Sequence, residues 1–358
     1  MRIVFDVSPL SHARTGVNNY IRGSLAGLAE VARSQGHELV AFAPTSPWGR
    51  SAIRDALAGI DVRVALVPLP AAHAVRTAWS IAGRPPAERF LGRFDVLHFS
   101  DWLYPPQSRG VRATTIHDLV PLHHPEWTTP RTRSMHARKY RNAARTCDVI
   151  FANSAFTADD VAATLGFPRE HVVVAHPGIG AGYTAEGEHA DLGAPYLLTV
   201  ATLEPRKNLG TLVEAFALLA DTGLLLAVVG GAGWGEQPEL DHPRIVRLGR
   251  VTDEELARLY RGAAAVVYPS RFEGFGMPVT EAMASGAPVV ASAHPSLDEA
   301  CGNAAVRADP DSAEAIAAGI RDAVARSGEL RAAGLEHARG FSWRRTGEAF
   351  LEGYERFV

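Results

Sequence analysis

Residues 264–284 read AAVVYPSRFEGFGMPVTEAMA, and this stretch decides the fold class. Its first part is a short apolar run rich in valine, which predicts a strand that ends at Tyr268. Two glycines follow in a loop. Pro278 then opens a predicted helix, at a position where its missing N–H costs no hydrogen bond. A strand that passes through a glycine loop into a helix is the unit of a parallel α/β sheet.

The same alternation continues on both sides of this stretch. The apolar runs are too continuous for strands with one solvent-exposed face, so they predict parallel, doubly wound sheets that are covered on both faces. The predicted strands are Ile3–Asp6, Glu38–Phe42, Val62–Val67, Val96–Phe99, Thr114–His117, Val149–Ala152, Val172–Ala175, Tyr196–Ala201, Leu224–Val229, Ile245–Leu248, Ala264–Tyr268 and Pro288–Ala291. The predicted helices include Val17–Arg33, Arg131–Arg145, Leu209–Ala220, Asp253–Arg261, Pro278–Ser285 and Trp343–Val358.

The length of 358 residues predicts two domains, at roughly 150 residues each. Gly178–Pro195 holds five glycines and shows no apolar periodicity, so we interpret it as a linker. The prediction is an N-terminal Rossmann-like domain over residues 1–180 and a C-terminal one over residues 190–340. The last helix, residues 343–358, crosses back to the first domain. Two such domains would face a cleft into which the carboxyl ends of the strands point.

Composition excludes several classes of protein. Apolar residues make up 47% and charged residues 21%, which is ordinary for a globular protein with a substantial core. A net charge of −3 argues against a nucleic-acid partner. The two cysteines lie far apart, which fits a reducing cytoplasm and no disulfide scaffold. We expect no signal peptide and no spanning helix, since the first apolar run turns acidic at Asp6 and no run approaches ~18 apolar residues.

The glycine loop and the helix after it predict an anion site. The first N–H groups of a helix lack intrahelical partners, and with the helix dipole they favour a phosphate. Gly274 and Gly276 let the backbone approach a ligand without an intervening Cβ. Glu273 stands in the loop and Glu281 about one turn inside the helix, so the two side chains would contact different parts of one ligand. A carboxylate does not bind phosphate, so hydroxyls of a ribose or sugar are the expected partners. The alternative is an ordinary turn with solvent-facing glutamates.

A second candidate segment, Thr202-Leu203-Glu204-Pro205-Arg206-Lys207-Asn208, follows the first strand of the second predicted domain. Arg206 and Lys207 are placed there to neutralise a diphosphate. The alternative is that they are surface charges in a loop, with Asn208 as a helix N-cap. Lys207 is one of only two lysines among 36 basic residues, which hints that a compact ammonium is needed at this position.

The first predicted domain offers two further candidates. His117 ends a strand, and Gly16 lies in a loop before a helix whose N-terminus could meet phosphate or acceptor. A lone histidine is more often structural than catalytic. His123 and His124 lack a fitting carboxylate or cysteine set, so a metal site is disfavoured.

Two charged segments remain. Between Trp127 and Cys147 there are six cations and no acid. This predicts a solvated helix face or, alternatively, a surface that docks on anionic lipid or a phosphorylated acceptor. Asp309–Asp311 has the form D-x-D of a metal motif, but it follows a strand far from Glu273, and we interpret it as a loop. The six cations are Arg131, Arg133, Arg138, Lys139, Arg141 and Arg145.

Together these segments resemble the retaining GT-B glycosyltransferases of family 4, sugar-nucleotide enzymes that include bacterial mannosyltransferases. The resemblance spans nearly the whole chain and is strongest over residues 247–292. The E-x7-E arrangement of Glu273 and Glu281 is its most specific element. The adjacent Arg206 and Lys207 resemble a Glu-Pro-Arg-Lys-Asn subgroup that includes polysaccharide mannosyltransferases. Many relatives instead carry the arginine just after the strand, where this chain has Ala201 and Thr202.

The resemblance implies a role for each residue. Glu273 lies near the anomeric centre, Glu281 binds the ribose, Arg206 and Lys207 grip the diphosphate, and His117 contacts the donor sugar. The backbone of residues 274–276 holds sugar hydroxyls, and the backbone around residues 250–251 holds the base. Residue 16 lies beside the phosphates. The implied catalytic residues are Glu273, His117, Arg206 and Lys207. The implied donor-binding residues are Gly16, Arg250, Val251, Gly274, Phe275, Gly276, Met277, Val279 and Glu281.

By the same resemblance, the chain transfers a hexose with retention and needs no metal or cofactor. GDP-mannose is the first donor that we predict, and sugars carried on uracil or thymine nucleotides are the alternatives. The acceptor is a glycan, a lipid-linked molecule or a small molecule. The alternatives are a phosphorylase or epimerase of the same fold, a non-catalytic sugar-nucleotide sensor, or a nicotinamide dehydrogenase. The glycine run from Gly230 to Gly235 favours the last only weakly, because no acidic residue ends a next strand ~20 residues later.

Overall fold

The structure, a computed structural model, describes residues 1–12, 14–100, 104–233, 235 and 239–358. It consists of two compact units. The first comprises Met1–Gly178 and Ser342–Val358, and the second comprises Ile179–Phe341. Each unit is built on one wholly parallel sheet with helices packed on it, so the predicted α/β class with two Rossmann-like sheets is confirmed.

The sheet of the first unit has seven strands in the order β3-β2-β1-β4-β5-β6-β7. Its central strands are buried along their whole length, as their continuous apolar sequences require. The strands are β1 Arg2–Asp6, β2 Glu38–Thr45, β3 Arg63–Pro68, β4 Val96–Phe99, β5 Val111–Ile116, β6 Val149–Ala152 and β7 Val172–Val174. The helices are α1 Gly16–Ser34, α2 Pro47–Ala56, α3 Ala72–Ala82, α4 Glu88–Leu91, α5 Val120–His123, α6 Pro130–Thr146 and α7 Ala155–Leu165.

The sheet of the second unit has six strands in the order β10-β9-β8-β11-β12-β13. The reversal of strand order at β8 and β11 makes these two strands neighbours, with Ala265 opposite Leu197 and Val266 opposite Leu198. The strands are β8 Tyr196–Val200, β9 Leu225–Val229, β10 Ile245–Gly249, β11 Ala265–Tyr268, β12 Val289–Ser292 and β13 Val306–Ala308. The helices are α8 Leu209–Ala217, α9 Asp253–Gly262, α10 Met277–Ala284, α11 Asp298–Cys301, α12 Ala313–Ala325 and α13 Ser327–Ala338.

The segment that composition predicts as a linker packs on the second unit from Ile179 onward. Tyr183 and Leu192 pack on the apolar core of the second unit. The Arg261 side chain donates to the carbonyls of Thr184 and Glu188, at 3.2 and 2.7 Å. Residues 179–195 are half-buried or exposed, and their scattered apolar side chains are enough to hold the segment against the second unit.

The last helix, α14 Trp343–Glu355, belongs to the first unit. It packs closely against α1, because a Cβ on Gly23 or Gly27 would overlap Trp343. Phe350 of α14 contributes to the core beneath β1. The close approach of the two helices therefore depends on small residues.

Candidate active site

Two loops at the carboxyl ends of β8 and β11 carry the candidate charges. After β8 the chain forms a short 3₁₀ turn, Pro205–Lys207. Three hydrogen bonds fasten this segment. The Arg271 N–H donates to the Arg206 carbonyl at 2.8 Å, and the Asn208 side-chain amide donates to the carbonyls of Pro269 (3.2 Å) and Pro310 (2.6 Å). Asn208 stands at the N-cap position of α8 but makes no side-chain cap. Its amide instead joins the loop after β8 to the loops after β11 and β13.

Arg206, Lys207 and Glu273 form one charge cluster, in which Lys207 and Glu273 are buried and Arg206 is half-buried. The Arg206 guanidinium donates to Glu273 Oε2 at 2.8 Å, and Lys207 Nζ donates to Glu273 Oε1 at 2.6 Å. Glu273 is 6% exposed and Lys207 is 8% exposed. Glu204 adds a second carboxylate, 3.2 Å from the far side of the guanidinium. The sequence alternatives, solvent-facing glutamates and surface cations, are therefore wrong for these residues.

The cluster shifts the pKa values of its members. Burial alone would raise the pKa of Glu273, but the charges of Arg206 and Lys207 outweigh it and lower the pKa to about 2. Burial and the neighbouring guanidinium lower the pKa of Lys207, while Glu273 opposes them. Glu273 therefore stays ionised in the absence of ligand, as the counter-charge of two cations.

Tyr268 completes the cluster, and sequence reasoning gave it no role. Its hydroxyl donates to Glu273 Oε1 at 3.0 Å and accepts from Lys207 Nζ at 2.8 Å. Burial and the Glu273 carboxylate raise the pKa of Tyr268 well above its usual value, so the phenol is protonated. The available signal was its place as the last residue of β11, at the carboxyl end of a central strand, where ligand-binding residues concentrate.

The glycine loop leads into α10 as predicted, with Gly276 at the N-cap. Gly276 has φ +100°, and a Cβ there would lie 2.5 Å from Leu297 Cδ2. The side chains of Phe275 and Val279 are in the core, so only their backbone can face a ligand. One N–H of the first turn is already used, since Val279 donates to the Gly276 carbonyl at 2.9 Å. Met277 is half-buried.

Glu281 lies inside α10 and is 7% exposed. Its Oε2 accepts from the Tyr260 hydroxyl at 3.4 Å. It is therefore buried in the second unit, like Glu273, but the two carboxylates have different neighbours.

The glycine run after β9 allows close packing of two backbone segments. A Cβ on Gly230 would overlap the Ala201 carbonyl, and one on Gly233 would overlap the Leu203 carbonyl. These glycines thus allow the run to lie against the segment that leads to Arg206, and Trp234 lies outside the described residues. Beside the run is a cavity of about 420 Å³ lined by Leu203, Val228, Gly230, Gly231, Ala232, Leu240, Arg247 and Gly249. A Cβ on Gly231 would approach the Arg250 side chain, which places Arg250 next to this run.

In the first unit, His117 follows β5 and lies edge-on to Tyr20, with ring centroids 4.9 Å apart. Its Nε2 is buried and has no hydrogen-bond partner among the described residues. Burial, with Lys139 and His136, lowers the pKa of His117 to about 3, so the ring is neutral. Gly16 is exposed at the start of α1, and a Cβ there would meet nothing within 4 Å.

The structure also describes the histidine pairs and the D-x-D segment that the sequence analysis considered as metal ligands. His123 pairs with Asp160 and His124 with Glu126, and among the described residues no group of three possible ligands is arranged to hold a metal. The D-x-D segment is a loop, but it is not remote from the cluster. Asp311 pairs with Arg271 at 2.9 Å, two residues before Glu273 in the chain.

Lys139 was grouped with the surface cations of α6, and this was wrong. It is buried and donates to the Thr115 carbonyl at 3.0 Å. Both lysines of the chain are thus buried donors. In the part of the chain that the structure describes, every helix is too short or too polar to cross a bilayer.

Comparison with known proteins identifies the family of the chain. Residues 185–340 match the family described as "Glycosyl transferases group 1", and residues 15–181 match "Glycosyltransferase Family 4". The D-inositol 3-phosphate glycosyltransferase 1 of Catenulispora acidiphila is 31% identical over 316 residues, which cover 75% of this chain and 73% of that protein. The chain belongs to the family 4 glycosyltransferases.

Two further similarities extend the comparison. The O-antigen chain mannosyltransferase B of Escherichia coli is 28% identical to this glycosyltransferase over 306 residues, covering 79% of this chain and 78% of the relative. The Anabaena protein HepE, solved in complex with UDP, superposes with a TM-score of 0.69 over 100% of both chains at 17% identity, which supports the shared GT-B fold.

Proposed function

We propose that this glycosyltransferase moves a hexose from a nucleoside diphosphate sugar, with GDP-mannose as first choice, to a glycan, lipid-linked or small-molecule acceptor. The observation that carries the proposal is the pair Arg206 and Lys207, held together at the buried Glu273 just before α10. Adjacent cations beside a helix N-terminus suit a diphosphate. The name of the E. coli relative supports mannose, and the UDP complex of HepE supports a nucleotide.

The second unit offers surroundings for the rest of such a donor. The cavity beside the glycine run lies next to the segment that leads to Arg206, and we assign it to the nucleoside, near the backbone of residues 250–251. Glu281 and the backbone of residues 274–276 supply acceptors and donors for ribose and sugar hydroxyls. Each of these groups sits at the carboxyl end of the parallel sheet, where ligands of this fold class bind.

In the proposed reaction, the bond from the anomeric carbon to the diphosphate oxygen breaks and a bond to the acceptor oxygen forms on the same face. The acceptor proton passes to the leaving phosphate, and no metal takes part. Arg206 and Lys207 stabilise the charge that grows on the diphosphate. Both oxygens of Glu273 already accept hydrogen bonds, and its pKa is about 2, so we infer that it stabilises charge and positions the cations rather than acting as a base.

The test is a panel of GDP, UDP and dTDP sugars, with thermal shift for binding and nucleotide release for turnover. Arg206→Ala and Lys207→Ala should each lower turnover ~100- to 1000-fold, the usual cost of losing one transition-state donor. Arg326→Ala is the control, because Arg326 is an exposed arginine of the same unit that pairs only with Asp322 and Glu329 in the described chain. Losses under tenfold for both cluster variants would refute the assignment.

The stereochemistry and the rival activities need separate measurements. Proton NMR of the product should show the anomeric configuration of the donor, and inversion would contradict retention. A sensor would bind donor but release no nucleotide over long incubation. A phosphorylase would require inorganic phosphate for cleavage, and an epimerase would change the sugar without any acceptor.

We also propose that α6 docks on anionic lipid. Arg131, Arg138, Arg141 and Arg145 are exposed at helical spacing, and none forms an ion pair with a described residue. Each basic residue near such a surface adds about 1 kcal/mol. The chain should float with vesicles containing anionic lipid at low salt and not with zwitterionic ones, and changing these four arginines to glutamine should abolish flotation. Flotation that survives the four changes would contradict the proposal.

A further inference from the structure

The hydroxyl of Tyr268 links the two residues on which the proposed chemistry depends. It lies 2.8 Å from Lys207 Nζ and 3.0 Å from Glu273 Oε1, and these two atoms are themselves 2.6 Å apart. Three polar groups thus form a closed triangle within a largely apolar core. The ammonium is also 5.0 Å from the centroid of the Tyr268 ring. Lys207 is therefore held by one tyrosine hydroxyl and one carboxylate at the same time.

This triangle sets the direction of the ammonium. An ammonium has three N–H donors and no acceptor. Glu273 and Tyr268 take two of them, and among the described residues the third has no acceptor. With two donors fixed, the direction of the third is fixed as well. A lysine side chain is otherwise flexible, so a phosphate oxygen would have to order it on binding.

The apolar core does not need a hydroxyl at this position. Tyr268 is 2% exposed, and its ring packs in the same cluster as Phe275 and Met283. A phenylalanine would fill this space equally well. It would leave Lys207 with one acceptor and Glu273 Oε1 without its neutral donor.

We propose that Tyr268 is a positioning residue: its hydroxyl holds Lys207 against Glu273 and aims the remaining N–H of Lys207 at the diphosphate of the donor. The inference rests on the proposed function for the identity of the ligand. The positioning itself concerns only the three side chains and is measurable without any ligand.

The chain has two lysines, Lys139 and Lys207, so labelling lysine with ¹³C and ¹⁵N yields two ammonium environments. A Lys207→Arg variant assigns the signals. Tyr268→Phe should move the Lys207 signal and leave that of Lys139 in place. The matched control is Tyr196→Phe, because Tyr196 is a buried tyrosine of the same cluster whose hydroxyl donates to the Leu259 carbonyl instead. An unmoved Lys207 signal, or an equal shift in the control, would overturn the inference.

Turnover gives the second measurement. Tyr268→Phe should lower kcat at least ~10-fold, the usual worth of a hydrogen bond to a charged group, and change KM for the donor much less. The control should keep kcat within about twofold while losing a similar amount of thermal stability. Equal kcat losses in both variants would refute a positioning role. If no donor is turned over, the proposed function fails, and the lysine spectra still decide the inference.

Fluorinated tyrosine at position 268 covers the case in which Tyr268→Phe does not fold. It keeps the hydroxyl and the ring but strengthens the phenol as a donor and weakens it as an acceptor. The Lys207 signal should move in a chain with unchanged melting temperature. No movement would count against the inference.

Discussion

Replacing Glu273 by glutamine isolates the charge at the centre of the cluster, because the side chain keeps its shape. In the ligand-free structure this carboxylate accepts from Arg206, Lys207 and Tyr268. Glutamine offers one oxygen to these three donors and turns an amide toward the others. The half-buried Arg206 and the buried Lys207 then face each other without this charge between them, although Glu204 still lies 3.2 Å from the guanidinium.

Two estimates give the loss of stability that Glu273→Gln should cause. The pKa of Glu273 falls from 4.5 to about 2, which corresponds to roughly 3 kcal/mol at ~1.36 kcal/mol per pKa unit. Removing one partner of a buried ion pair typically costs about 3–5 kcal/mol. Glu273→Gln should therefore lower the free energy of unfolding of the second unit by about 3 kcal/mol at neutral pH. The depressed pKa means that this stabilisation is present above pH 4.5 and is lost as pH falls toward 2.

The assay is urea unfolding of wild type and variant, followed by far-ultraviolet circular dichroism between pH 7 and pH 3. The difference in free energy of unfolding between wild type and variant should be largest at neutral pH and should decrease in acid. A nucleoside diphosphate should restore more stability to the variant than to wild type, because its phosphates replace the lost anion without competing with it. Equal stabilities at pH 7, or weaker nucleotide binding by the variant, would refute the reasoning.

Three further predictions follow from individual contacts. Gly276→Ala should destabilise the second unit by about 2–4 kcal/mol, since backbone strain and overpacking combine; Gly210→Ala, where a Cβ meets nothing within 4 Å, is the control in urea unfolding, and equal effects would contradict the argument. Lys207→Arg should impair turnover almost as much as Lys207→Ala, because the buried space fits an ammonium and not a planar fork; a variant with most of its kcat would show otherwise. His117→Gln should reduce the loss of stability between pH 6.5 and 3. Burial, aided by Lys139, lowers the pKa of His117 to about 3, so the unfolded chain takes up the proton first and stability falls as pH drops. Tryptophan fluorescence follows this unit, which holds five of the six tryptophans, and identical pH profiles for both proteins would contradict the prediction.

Local patterns made much of the fold predictable. β4 and β6 have the predicted bounds, because each is a short apolar run between clear breaks. β2 runs on to Thr45 rather than ending at Phe42, since its last residues pair with β3. That pairing is a tertiary contact with no signal in the composition of Ala43–Thr45.

The site was predictable in its residue types but not in its contacts. Glycines, a proline at a helix start and adjacent cations are local signals, and they indicated Glu273, Arg206 and Lys207 from their chemistry. Tyr268 looked like any last residue of an apolar strand. Its place at the end of the strand indicated a ligand-binding edge, but the polar partners of its hydroxyl come from elsewhere in the chain and could not be predicted from the strand.

The amino-acid order alone determined the alternation of strands and helices, the parallel character of the sheets and the charges available at strand ends, because these depend on neighbours a few positions apart. Only the tertiary structure decided that Lys207 and Glu273 share a hydrogen bond across 66 positions of chain. The reason is strand order. β8 and β11 are adjacent in the sheet, although β9 and β10 separate them in sequence, and this adjacency brings the loops after both strands together.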